Sequence, residues 1–161
     1  MQPNTPWQRQ LGFTLIELVV VMAVVALLTT VAAPSFASLI AGQRVRTLAS
    51  EFHLALMQTR SEAIKRNLSV SLNATNGNWA AGWTVADPAN PTGTPLYTRT
   101  TRSASNVTVT STVTTVQYTA AGRVNTSTSP SFVFTAPNTS EVRCVSVDGS
   151  GRPYTNKASS C

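Results

Sequence analysis

The 161 residues leave room for one modest domain, and only 11% of them are charged. The net charge of +6 permits contact with a polyanion without requiring it, since a solvated basic surface gives the same balance. With one histidine, six acids and no nucleophile motif there is little from which to build a catalytic site, so an enzyme is the class these residues fit least.

The N-terminal third carries most of the information. From Phe13 to Ala33 the sequence is almost wholly apolar, and it has the ~20-residue length that a bilayer-spanning helix needs. Glu17 is its one charged residue. An acid inside such a run is costly, about 2.5–3.5 kcal/mol at a helix centre and less near an end, and it marks a functional position. A secretory signal could be cut near Ala32-Ala33 or Phe36-Ala37, but its apolar region is shorter and holds no acid. A plain single-pass anchor leaves Glu17 unexplained.

Pro34 follows the apolar run and predicts a kink or an interruption of the helix. Beyond it, Phe36, Leu39, Ile40, Val45, Leu48, Ala49, Phe52, Ala55, Leu56, Ala63 and Ile64 recur at three- and four-residue spacings. Polar residues fill the other faces, which predicts an amphipathic helix with Ala63 and Ile64 in the core. Glu62 and Arg66 form a favourable i,i+4 pair, and Asn67 is a C-terminal stop. One helix from Phe13 to Arg66 would run about 80 Å at 1.5 Å per residue. His53, between Phe52 and Leu54, reads as a helix-surface or partly packed histidine.

The remainder reads as short strands. Leu68, Val70 and Leu72 alternate with polar residues, and Thr75-Asn76-Gly77-Asn78 is a turn. Trp79 and Trp83-Thr84-Val85 follow as packing anchors, then the proline-rich loop Asp87–Pro95. Leu96–Arg102, Val107–Thr110, Val113–Tyr118, Phe132–Phe134 and Val142–Val147 are further strand segments. Ala121-Gly122 and Asp148–Gly151 are turns, the latter leading to Arg152-Pro153-Tyr154. Short strands after one long helix predict an α+β fold with antiparallel pairing.

Cys144 and Cys161 make an even count near the end of an exported chain and suggest one disulfide; two unpaired thiols are the alternative. No CxxC pair or Cys/His cluster is present, so neither a metal site nor a cofactor is expected. Arg143, Arg152 and Lys157 could form a basic patch around these cysteines, with Tyr154 nearby for stacking.

The string Gly12-Phe13-Thr14-Leu15-Ile16-Glu17-Leu18 strongly resembles the class III signal of type IV prepilins and type II secretion pseudopilins. The resemblance implies a leader of residues 1–12 and cleavage between Gly12 and Phe13 by prepilin peptidase. It also implies N-methylation of Phe13 and a filament-register role for Glu17, whose carboxylate would meet the Phe13 amine of a neighbouring subunit. Such a leader contains Arg9 and no acid, so its removal leaves 11 basic groups against 6 acidic ones, a net +5.

A second resemblance covers the soluble part. Leu54–Asn67, with Ala63-Ile64 and Arg66-Asn67 and with Thr59 where alanine is common, is similar to the helix end of the GspH/FimT/FimU minor pilins. Trp79, Gly82 and Trp83 resemble that family's next element, and Gly122-Arg123 and Gly151-Arg152 its turns before strands. The implied plan is pilin-like: a filament-core helix over 13–36, spanning the inner membrane before assembly, an amphipathic continuation over 37–67, and a β-rich domain over 68–161 packed as a small antiparallel sheet. The implied place is a single-pass inner-membrane protein with a periplasmic C-terminal domain, later a filament subunit, and its partners are other pilin or pseudopilin subunits. The leading reading is a minor pilin that supports type IV pilus assembly at or near the tip. The alternatives are a pseudopilin of type II secretion and a DNA-binding pilin for natural transformation, with double-stranded DNA as partner. FimT-like members carry a GRxR motif for DNA; here Gly151 and Arg152 match it, but Tyr154 stands in place of the second arginine.

Overall fold

The structure, a computed structural model, describes residues 12–100, 106–125, 129–158 and 161. The predicted leader, apart from Gly12, lies outside the described residues. The chain divides into two compact units, one ending at Phe36 and the other spanning Ala37–Cys161.

Helix α1 runs Leu15–Arg66, close to the predicted bounds, and continues through Pro34. In its first part every described side chain is exposed. The hydroxyls of Thr29 and Thr30 donate to the carbonyls of Ala26 and Leu27 at 2.8 and 2.7 Å, so these two hydroxyls are satisfied within the helix. The helix ends at Asn67, which takes a left-handed φ of 53°. The Leu68 and Asn67 amides donate back to the carbonyls of Ala63 and Ile64, both at 3.2 Å. That is a Schellman arrangement with asparagine in the position glycine usually takes.

Eight strands follow: β1 Val70–Thr75, β2 Asn78–Val85, β3 Tyr97–Thr100, β4 Thr108–Ser111, β5 Thr115–Tyr118, β6 Ser131–Thr135, β7 Arg143–Val147 and β8 Pro153–Asn156. The predicted antiparallel layer is present but divided into two four-stranded sheets, ordered β3-β2-β1-β5 and β4-β6-β7-β8. All pairings are antiparallel. The β1–β2 hairpin turns on Asn76 and Gly77, both with positive φ, as a two-residue primed turn demands. Of the predicted segment Leu96–Arg102, only the part up to Thr100 lies among the described residues. Strand β8 follows the Gly151-Arg152 turn, where the family resemblance implies a strand, although the residues after that turn carry no strand pattern of their own. It is four residues long, begins with a proline and sits at a sheet edge, where a missing amide donor is tolerated.

The core sits between α1 and both sheets. Val45, Leu48, Ala49, Phe52, Ala55, Leu56 and Ala63 are buried on one helix face. Phe52 joins the two sheets: its ring lies 5.1 Å from those of Trp79 and Trp83 on β2, and 4.5 and 5.6 Å from those of Phe132 and Phe134 on β6. Trp79 and Trp83 are buried, as expected of packing anchors. Ile64 is not in the core; it is 51% exposed. Its neighbour Ala63 occupies the inward position, and Ile64 lies to the side of the buried stripe, where it lines a surface groove.

Candidate functional site

The N-terminal signal residues come first. Gly12, Phe13 and Glu17 are exposed. The Glu17 amide donates to Thr14 Oγ1 at 3.2 Å, and the Leu18 amide to the Thr14 carbonyl at 3.2 Å. Thr14 is therefore the N-cap and Glu17 the third helical residue, which is the spacing of a capping box. Sequence reasoning missed this role, although Thr14-Leu15-Ile16-Glu17 is its signal. An acid in the first turn also suits the positive end of the helix dipole.

The C-terminal candidates fall into two places. Cys144 and Cys161 are joined by a disulfide, with Cα atoms 5.6 Å apart. Arg143, beside Cys144, pairs with Glu141 at 2.7 Å, and Arg46 on α1 pairs with the same carboxylate at 2.8 Å. The hydrogen bond from Arg46 holds the Glu141 carboxyl below its ordinary range, helped by the charges of Arg143 and Lys157. Since Cys144 pairs with Asn156 across β7–β8, Arg143 and Lys157 stand at the same end of that pair. Arg152 stands at the other end, where Val147 faces Pro153. Five residue steps along the β8 strand, which is four residues long, separate Arg152 from Lys157, about 16 Å at 3.3 Å per step. The three cations thus do not form one patch.

Arg152 instead borders a groove of about 580 Å³ lined by His53, Met57, Arg60, Ser61 and Ile64 of α1 and by Arg152, Pro153 and Tyr154. The helix residues follow a spacing that puts them on one face. Arg60 donates through Nε to the Gly122 carbonyl at 2.9 Å and through Nη2 to the Ser150 carbonyl at 3.4 Å, fastening two turns to the helix. Those turns also touch each other. Gly151 has a φ of +81°, and a Cβ there would lie 2.1 Å from the Gly122 carbonyl oxygen, so no other residue fits. Asp148 Oδ1 accepts from the Ser150 amide and hydroxyl and from the Arg152 amide. These bonds, that from the Ser150 hydroxyl foremost, hold the Asp148 carboxyl below its ordinary range. His53 Nδ1 lies 3.1 Å from Thr155 Oγ1, and burial lowers the ring's pKa. The Gly122-Arg123 and Gly151-Arg152 pairs noted in the sequence are thus two packed turns.

Among the described residues no cluster of histidine, cysteine and carboxylate groups could hold a metal ion. The arrangement offers cations, an exposed tyrosine and apolar surface, which suits binding.

A family model described as type II transport protein GspH matches residues 48–151. A second, the prokaryotic N-terminal methylation motif, matches residues 7–33. No curated protein matches the chain. Among solved structures, the type IV minor pilin FimU of Pseudomonas aeruginosa is similar in two crystal forms. In one the identity is 23%, with 74% of this chain and 96% of that chain covered and a TM-score of 0.64. In the other the identity is 22%, with 72% and 98% covered and a TM-score of 0.62.

Proposed function

The chain belongs to the GspH family, and from that premise we propose that it is a minor pilin that enters a type IV pilus and supports assembly at or near its tip. The observation that carries this reading is the pairing of an N-terminal methylation motif with an apolar helix that runs without interruption into the β-rich domain. The fold shared with the minor pilin FimU supports the pilus assignment.

In this reading prepilin peptidase cuts after Gly12 and Phe13 becomes the methylated N-terminus. The apolar half of α1 holds the subunit in the inner membrane with the β-rich domain on the periplasmic side. On assembly the same surface passes from lipid into the filament core. Glu17 then meets the amine of a neighbouring Phe13, an attraction that strengthens in the low dielectric of that core. Nothing in this mechanism requires a catalytic group or a cofactor.

The test is incorporation. Glu17→Ala is expected to remain in the membrane fraction, cleaved and folded, and to be missing from sheared filaments. Wild-type incorporation of this variant would sink the role given to Glu17. A pseudopilin of type II secretion is the second reading, supported by the description of the matching family model. Deletion separates the two: loss of surface pili with secretion intact favours the pilus, and the reverse favours the secretion filament.

A further inference from the structure

The groove between α1 and β8 has a composition that selects its occupant. Arg60 and Arg152 line it, and no carboxylate does. Arg60 is committed to the carbonyls of Gly122 and Ser150. The Arg152 side chain, on an exposed residue at the groove edge, makes no direct hydrogen bond or ion pair among the described residues, although its charge acts on the Asp148 carboxylate. Around it Met57, Ile64 and Tyr154 are 50%, 51% and 43% exposed. A guanidinium held at the rim of an apolar trough, with a tyrosine beside it, has the composition of an interface centre.

We propose that this groove docks an acidic segment with an apolar anchor, supplied by a different subunit of the same filament; the proposal rests on the filament reading above. The charges within the chain argue against a second copy as the donor. Glu51, Glu62, Asp87 and Glu141 are ion-paired with arginines of their own domain, and Asp148 is bound in its turn. The sixth acid, Glu17, lies in the apolar half of α1. The side-chain carboxylates of the β-rich unit are therefore all engaged within it. Nucleic acid fits less well than protein. Phosphate binding draws on several cations in a row, whereas the one guanidinium here without a direct hydrogen bond borders apolar side chains that a phosphate backbone would not cover.

The experiment uses the full chain in cells that assemble the filament, comparing wild type with Arg152→Glu and with Met57→Asp. Both variants are expected to keep wild-type membrane levels and the Cys144–Cys161 bridge, and to fall about tenfold or more in sheared filaments. Suppressors of Arg152→Glu are expected as acid-to-lysine changes in another pilin-type subunit. A benzophenone side chain at position 154 should form its adduct with that same subunit. Wild-type incorporation of Arg152→Glu overturns the docking proposal, as does an adduct to a second copy. Salt-sensitive duplex-DNA binding by the full chain in detergent, lost in Arg152→Glu, would assign the groove to nucleic acid and overturn it as well. Absence of the wild-type chain from filaments would instead overturn the filament reading, so the two failures are distinguishable.

Discussion

Along α1 the same backbone serves two kinds of surface. Up to Phe36 every described residue is exposed, Leu27 by 70% and Val31 by 76%. From Gly42 onward one face is buried at three- and four-residue spacing: Val45, Leu48, Ala49, Phe52, Ala55, Leu56, Thr59 and Ala63. The first segment leaves its apolar area for an outside medium, lipid or neighbouring helices. The second uses its apolar area within its own chain. Hydrophobicity alone does not tell these apart; the presence or absence of a polar face does.

The sharpest way to break this contrast is to truncate one apolar side chain in each half. In detergent, Phe52→Ala is expected to lower the stability of the oxidised full chain by about 3–5 kcal/mol, since its ring contacts both sheets. Leu27→Ala should leave the melting of the β-rich unit unchanged. Equal losses, read by thermal or denaturant unfolding, would erase the distinction. Next in size is the disulfide. Reducing Cys144–Cys161, which spans a sequence separation of 17 residues, is expected to cost about 3 kcal/mol. Amide exchange on β7 and β8 should rise while exchange in residues 15–36 stays constant.

At the other end of the chain, Thr14→Ala removes the cap and is expected to cost about 1 kcal/mol of local helix stability. The reading is faster exchange of the Glu17 and Leu18 amides, with no change in the β-rich unit. The smallest effect expected is a pH dependence. Arg46 holds the Glu141 carboxyl below its ordinary value of 4.5. Its contribution is therefore fully present above that value and lost as pH falls through the lowered folded-state value. Arg46 is half-exposed, so solvent screening keeps the effect modest. Wild type should lose more stability than Glu141→Gln between neutral and acidic pH; parallel acid titrations would remove the ion pair from the account.

Much of this was legible in the residues because it depends on local pattern. The bounds of α1, the stop at Asn67, the Asn76-Gly77 turn and the burial of Trp79 and Trp83 each follow from short-range chemistry. The division of strands between two sheets does not, since it depends on which distant edges pair. Strand β8 is signalled only by the Gly151-Arg152 turn before it, because Pro153-Tyr154-Thr155-Asn156 has no alternating apolar face. Ile64 was misplaced because its period fits the stripe while Ala63 takes the inward position. The same limit applied to the site. Arg143, Arg152 and Lys157 are close in sequence to one disulfide, yet the β7–β8 register sends Arg152 to the far end, next to Arg60 and Met57, which are nearly a hundred residues away along the chain. The signal for that groove was an unpaired apolar residue on a polar helix face, visible at Met57 but not specific.

The position of Phe52 also sets an order of events. Its ring is ready as soon as α1 forms, but its partners belong to strands that include Phe132 and Phe134, near the end of the chain. The cluster cannot close until those residues are available. Folding of the β-rich unit is therefore governed by contacts of large sequence separation, which form slowly. Until then an exposed aromatic waits on a finished helix, and a chain stalled before Phe134 would leave it open to association with the wrong partner.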